Sequence, residues 1–394
     1  MFEVLKLLIS PTHLNNLVGQ NNCDIYNLMK PLIVNSGFVS IFILLLFPGT
    51  VLGYDITDKF SIGGVLAGAY QYQWVDGDDN KGRGALPFQP EFSFRPTKKD
   101  EIFTKFGFAA GNGLNGVTKF NLEPWAANLE DDIKDINGRN RDYLLTVWYK
   151  HIFEFEANNT LGLTGGIIDA TDYLDENAYA NDEYTQFMNQ ALVNAPYNFA
   201  PSYDIGGAVE WELGNWDFTV VGMNVGENDD GNNFNFLAGK IGYKLTTFLG
   251  EGNYRLICEG TSEEFLNMSG TKKSRMSVLL SFDQELGDIF GTWIRFGWED
   301  ASAMVDYDYL LSGGLSITGK WYGRKNDNIG IGFAYLDGIY NFDYTQVAEV
   351  YWRVVFNDYF SVTTDLQYMN DKYKTANLED VDGIIGGIRF TFKF

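Results

Sequence analysis

Tyr203–Val220 reads YDIGGAVEWELGNWDFTV. Tyr203, Ile205, Val209, Trp211 and Leu213 alternate with Asp204, Glu210 and Glu212; Gly214-Asn215 interrupts the run, and Trp216, Phe218 and Val220 resume it. Side chains of a strand point to opposite faces in turn, so a period of two separates an apolar face from a polar one. A Gly-Asn pair between two such runs predicts a tight hairpin.

The same pattern extends in both directions. Ile62, Leu66, Tyr70, Tyr72 and Trp74 oppose Ser61, Gln71 and Gln73, and Phe92 and Phe94 oppose Glu91, Ser93 and Arg95. Downstream, Met276, Val278, Leu280 and Phe282 oppose Arg275, Ser277, Ser281 and Asp283. Near the end, Val350, Trp352 and Val354 oppose Glu349, Tyr351 and Arg353, and Ile388, Phe390, Phe392 and Phe394 oppose Arg389, Thr391 and Lys393. A soluble sandwich would explain any one of these strands, but so many aromatic faces would each need a partner sheet. Short turns at Pro96–Asp100, Glu154–Asn159, Gly214-Asn215, Leu286–Asp288 and Asn357-Asp358 are expected to alternate strictly with longer polar loops, the first near 75–87 and the second near 112–140. Alternating strands of about ten residues, short turns on one side and longer loops on the other describe an outer-membrane barrel. The expected fold is all-β, a transmembrane antiparallel β-barrel of about 16 strands.

One long stretch breaks the pattern. Asp169–Asp204 is acidic and rich in Asn and Tyr, and it is long for a plain connection. Its Tyr173, Phe187, Met188 and Leu192 argue for a folded segment, since disordered ones are poor in such residues. It is the third outer loop by count. By analogy with general porins, whose third loop enters the barrel, an inward-folded long third loop is expected.

Before the first strand, Met29-Lys30 precedes PLIVNSGFVSIFILLLF (31–47) and PGTVLG (48–53). A basic residue, a short apolar core and small residues describe a secretory signal peptide, with cleavage near Gly53. A membrane anchor helix is the alternative, but the apolar run is short of the ~20 residues that spanning requires. Residues 1–28 fit no part of a signal, which makes Met29 an alternative start. The expected organisation is a leader at 1–53, with the signal at 29–53, and a barrel at 54–394. Glu3 and Asp24 cancel Lys6 and Lys30, so the mature chain keeps the full net charge of −23. That balance excludes nucleic acid, whose phosphates call for clustered Lys and Arg.

Four stretches resemble the carbohydrate-selective porins of the OprB type: GIIDATDYLDENAYANDEYTQFMN (166–189), DINGRNRDYLLTVWYKH (135–151), WYGRKNDNIGIGFAYLDG (321–338) and AEVYWRVVFNDYFSVTTDLQYMND (348–371). The resemblance spans essentially the whole mature chain. It implies a sixteen-stranded outer-membrane barrel with a water-filled channel for passive diffusion of carbohydrates and similar small polar solutes. It leaves the sugar open. A general or cation-selective porin and a non-conducting structural or adhesive barrel are the alternatives. Expected surroundings are outer-membrane lipid and lipopolysaccharide, and monomer and homotrimer both remain open.

For the constriction, Asp175, Asp182 and Glu183 of the loop are expected to face a basic wall drawn from Arg95, Arg255, Arg275, Arg295, Arg353 and Arg389, with Lys105, Lys240 and Lys244 on the same inward faces. A solvated acidic outer loop is the alternative. Sugars need hydroxyl partners and flat apolar faces. Trp125, Tyr173, Tyr179, Tyr184 and Trp293 are the stacking candidates, against the alternative that most aromatics form interfacial girdles. No enzyme, cofactor or metal site is expected. His151 is the sole histidine after residue 53, no GxSxG occurs, and Cys258 has no partner cysteine there. The acid-rich Asp76–Asn80 lacks the glycine and glutamate of a calcium loop, since those positions hold Lys81 and Pro87.

Overall fold

The computed structural model describes residues 54–394 except 77–79, 128, 196–198 and 376–377. The leader expectation therefore lies outside the described residues, as does the centre of the acid-rich Asp76–Asn80.

Sixteen long antiparallel strands make the molecule. In chain order they are β1 (Phe60–Val75), β2 (Lys81–Thr97), β3 (Asp100–Phe106), β4 (Leu144–Glu156), β5 (Asn159–Ile168), β6 (Asp204–Leu213), β7 (Trp216–Val225), β8 (Phe234–Thr247), β9 (Gly250–Thr261), β10 (Met276–Leu286), β11 (Phe290–Glu299), β12 (Tyr307–Thr318), β13 (Asn328–Gly338), β14 (Phe342–Val355), β15 (Phe360–Tyr373) and β16 (Val381–Lys393). Each pairs with the next. β16 then returns to β1, in register from Val65 opposite Lys393 to Val75 opposite Gly383. Phe394 extends this seam by exchanging backbone hydrogen bonds with Gly64 at 2.9 and 3.1 Å. Closure pairs the backbone groups that an open sheet would leave at its edges, which is what a hydrocarbon environment demands.

The alternation read in the sequence is the inside and outside of this barrel. On β6 to β8, Val209, Trp211, Trp216, Val220, Leu237 and Ile241 are exposed, while Ala208, Thr219, Val221, Ala238 and Lys240 between them are buried. A pleated strand in a closed sheet has no other way to separate the two sets.

Two expectations about the connections are corrected. The strict alternation of short and long fails at both 319–327 and 339–341. The first, on the short-turn side, is extended by a 3-10 turn, Gly319–Tyr322, and tied by Arg324 to Asp327 at 2.6 Å. The second, on the opposite side, is a tight turn with Tyr340 at φ 51°. The loop expected near 75–87 is also shorter, because β2 begins at Lys81, opposite Gln73. Its Gly-rich start hides the strand from a period-two reading, yet backbone pairing needs no side chain.

The long connections 111–143 and 169–203 contribute much of the apolar core. Leu114, Phe120, Leu174, Phe187 and Leu192 pack with Trp293, Leu336, Val347 and Tyr351 of the wall. Phe187 stands edge-on to Trp293 (5.7 Å between centroids) and to Tyr351 (5.0 Å). Gly332 makes room for it, since a Cβ there would meet Phe187 Cε1 at 2.8 Å.

Candidate functional site: the long connections against the barrel wall

The segment 169–203 begins with a 3-10 turn, Ala170–Asp172, whose entry is capped by Asp169 accepting from Thr171 N at 3.0 Å. Polar side chains of β10, β11, β14 and β16 hold its later residues. On β11, Arg295 is fully buried; its Nε donates to Asp175 at 2.7 Å, and its other nitrogens donate to the Ala180 and Leu192 carbonyls. Ser281 of β10 donates to the same carboxylate at 2.6 Å. On β14, Glu349 accepts the backbone N–H groups of Met188 (2.7 Å) and Asn189 (2.9 Å). On β16, Arg389 donates to the Glu183 and Gln186 carbonyls at 2.7 and 2.8 Å, and Thr391 donates to the Tyr184 carbonyl at 2.8 Å. Backbone groups taken away from water without secondary structure need such partners.

The second long connection clamps the third. Ala126 N donates to Met188 O at 2.8 Å, and Gln190 N donates to Glu123 O at 3.0 Å. Between these contacts, the Pro124 carbonyl accepts from Gln71 of β1 and Gln367 of β15, both at 2.9 Å. At the other end Arg139 pairs with Asp204 at 3.2 Å and donates to Asn224 Oδ1 at 2.8 Å. Asp204 also accepts Gly226 N at 2.7 Å, so one buried carboxylate joins the second and third connections to β6 and β7.

The rest of the segment presents its carboxylates to lysines of the wall. Glu176 and Asp217 share Lys240, at 2.7 and 3.1 Å. Asp182 pairs with Lys393 at 2.7 Å, with both side chains partly exposed. Lys105 lies 3.6 Å from Glu91 and attracts Asp172 and Glu183 from across the space. Burial within the barrel pushes the Asp172 carboxyl up to about 7, helped by Asp169 and opposed by Lys105. Glu183 is likewise raised to about 7, first by burial and then by Asp182. Between the two connections lies a cavity of about 510 Å³, lined by Asp131, Asp132, Asp169, Asp175 and Glu183 among others, with Lys134 at its edge.

The candidates read from the sequence separate into distinct places. Asp175 meets Arg295, and Asp182 meets a lysine that the sequence reading did not include in the wall. Arg255 pairs with Asp283 at 2.6 Å and Arg275 with Glu299 at 2.6 Å, both on neighbouring wall strands. Arg275 also stands 4.5 Å over the Phe199 ring. Arg95 pairs with Glu101 near the short-turn end at 2.9 Å, and Arg353 donates to Ser361 at 3.1 Å. Lys244 pairs with Glu251, with both half exposed. Trp125 is buried with its Nε1 on the Glu183 carbonyl at 2.9 Å; Trp293, Tyr173 and Tyr184 are buried as well. Tyr179 is half-buried, its ring over Gly291. The sequence reading missed Glu349, Gln367, Thr391 and Arg139 as fasteners. Their positions on inward faces were legible, but their backbone partners were not. Among the described residues no group of three or more His, Cys, Asp or Glu is arranged to hold a metal ion.

A closed sixteen-stranded antiparallel barrel with an apolar outer face is the architecture of an outer-membrane channel. The chain matches the family model "Carbohydrate-selective porin, OprB family" over residues 103–394, and it belongs to that family. It is therefore an outer-membrane porin for sugars, and its fold is that of a channel. A relative from Aquifex aeolicus, an uncharacterized protein, is 30% identical over 300 residues, 75% of this chain and 84% of that one. The high-pH structure of Pseudomonas putida OprB superposes with a TM-score of 0.65 at 14% identity, covering 85% of this chain and 94% of that chain. OmpT of Vibrio cholerae gives 0.53 at 9% identity, covering 86% and 98%. At these identities the two structures speak for the fold.

Proposed function

We propose that 169–203 narrows the sugar channel from within, and that its open side sets which solutes pass. The observation that carries this is the fastening of Asp175, Glu183, Gln186, Met188 and Asn189 to inward groups of β11, β14 and β16. Asp172, Glu176, Asp182 and Glu183 then form a negative edge, and Lys105, Lys240 and Lys393 form the positive wall. Opposed charge across a narrow water-filled gap orients hydroxyls, and the gradient of the solute supplies the drive. In this reading the arginines Arg255, Arg295 and Arg389 and the buried Lys240 hold the frame, and Lys105 and Lys393 meet the solute.

The test is planar-bilayer conductance and reversal potential of the D172N/D182N/E183Q channel. A changed conductance and a lower cation preference are expected. An unaltered channel overturns the constriction role. A second reading, a cation-selective general porin, is favoured by the acidic edge. Strong cation selectivity without block by sugars would select it, and absence of any conductance would select a structural or adhesive barrel.

The same proposal includes removal of the leader near Gly53, checked by N-terminal sequencing of the barrel recovered from outer membranes. Contact with lipopolysaccharide and assembly as monomer or homotrimer belong to it also. Native mass spectrometry with retained lipid distinguishes those states.

A further inference from the structure

On the inward wall from β2 to β5, Lys81 holds the second connection by donating to the Val117 carbonyl at 3.1 Å, and further along that wall two aromatic rings stand together. Phe103 on β3 and Trp148 on β4 are register partners. Their rings stack at 5.0 Å between centroids and 21° between planes. Both lie on the inward faces: Glu101 and Lys105 share Phe103's side of β3, and Thr146 and Lys150 share Trp148's side of β4. Their outward neighbours Ile102, Tyr149 and Phe153 are exposed to the surroundings of the barrel. Phe103 and Trp148 are only half-buried; Trp148 also packs against the apolar core to which the long connections contribute, and what remains accessible on the inward face is open to the lumen.

The surroundings of the pair are polar above and below and bare to one side. One step along the strands stand Glu91 and Lys105, 3.6 Å apart. One step the other way stand Glu101, which accepts from Ser93 at 2.5 Å and pairs with Arg95, and the Lys150–Glu210 ion pair at 2.6 Å. The six charged side chains among these are partly exposed. In the same row as Trp148 come Gly166 on β5 and Gly206 on β6. Gly166 has φ 150°, and a Cβ there would meet Val147 O at 2.3 Å, so this position excludes any side chain beside the indole.

We propose that Trp148, backed by Phe103, is a stacking platform for one pyranose ring, with Glu91–Lys105 and Lys150–Glu210 as its hydroxyl partners. A pyranose chair has a face of axial C–H bonds that fits an aromatic ring, and a rim of equatorial hydroxyls that need paired donors and acceptors. Carboxylates accept two adjacent hydroxyls, and ammonium groups donate to the ring and hydroxyl oxygens. Packing alone would explain the ring stack, but it would not explain four ionic partners at its edges and a glycine at its side. The subsite rests on the reading of the chain as a sugar channel.

The experiment uses the full-length porin in planar bilayers, with glucose as the pyranose and sorbitol as an open-chain polyol of the same carbon number. Sugar-induced current fluctuations give the half-blocking concentration for wild type, W148A, F103A and W148F. W148A is expected to raise the half-blocking concentration of glucose by about 3- to 10-fold, the worth of one aromatic contact. W148F is expected to recover most of that loss, and the response to sorbitol is expected to stay as in wild type. If W148A does not insert as a channel, F103A and W148F carry the same comparison, with a smaller rise for each. A half-blocking concentration equal to wild type in the variants, whatever happens to their ion conductance, overturns the subsite and leaves the sugar channel standing. A wild-type channel that glucose does not perturb at all overturns both.

Discussion

On β11, Arg295 is fully buried; it stands 5.1 Å over the Trp293 ring and donates to the third connection, to a carboxylate and two carbonyls. On β3, Lys105 keeps water contact, and its nearest acid, Glu91, is on the adjacent strand. The two residues occupy equivalent positions in the pattern, each a cation on the inward face of its strand. The difference is what stands in front of them. Where the loop leans on the wall, a planar guanidinium bridges several oxygens in fixed directions. Where the lumen is open, an ammonium on a flexible stem faces water and whatever passes. The barrel thus has a wall that fastens the third connection, β10 to β16, and a stretch around Lys105 on β3 that keeps water contact.

The sharpest way to break this contrast is to cut the fastening. R295M leaves Asp175, 3% exposed, without its cation. Removing one partner of a buried pair costs about 3–5 kcal/mol, because the remaining charge is left unsolvated. The loop is expected to detach locally, with larger and noisier single-channel currents and new protease cleavage within 169–203. The corresponding K105M is expected to leave cleavage as in wild type and to alter ion selectivity instead. Equal cleavage in both variants would dissolve the distinction between the walls.

This contrast also marks how far the residues alone could be read. The barrel was legible because lipid outside and polar groups inside impose a period of two on every strand, and Tyr203–Val220 already shows it. The interruption at 169–204 was legible as a folded insert from its aromatics. The partners were not. Arg295 and Arg255 look alike on their strands, and so do Glu349 and Glu210. Which of them meets a loop backbone depends on register and on contacts more than a hundred residues away. The aromatics failed for a related reason. Trp125 and Trp293 are as conspicuous in sequence as Trp148, yet they are buried between loop and wall. The OprB resemblance supplied the channel, which the family match bears out; it supplied no assignment of individual side chains.

A weaker perturbation is proton binding on the loop's open side. Asp172 and Glu183 have carboxyls raised to about 7, by burial and by neighbouring carboxylates. A raised carboxyl gives up its charge as pH falls through that value, so both are largely ionised at pH 8 and largely neutral at pH 6. The cation preference of the channel is expected to drop across this interval. Unperturbed carboxylates would hold their charge down to about pH 4. Reversal potentials in a KCl gradient from pH 8 to pH 5 measure it, and D172N is expected to flatten the profile. A midpoint near pH 4 in wild type would mean that these two groups do not govern the narrow passage.

The smallest effect compares two lysines of one strand. Lys240 and Lys244 share the inward face of β8. Lys240 is 5% exposed and lies between Glu176 of the loop and Asp217 of β7, whereas Lys244 is about half exposed and holds only Glu251 on β9. An exposed ion pair gains little, since water and salt screen it and two long side chains must be ordered. K244M is therefore expected to leave thermal unfolding and conductance unchanged. K240M removes the cation shared by loop and wall, and a cost of about 1–2 kcal/mol follows from the hydrogen bonds to charged groups that are lost. That should appear as a modest fall in Tm together with a shift in ion selectivity, because Glu176 then stands uncompensated at the open edge. If K244M proved the more damaging of the two, the loop's contact with β8 would not be what sets the charge there.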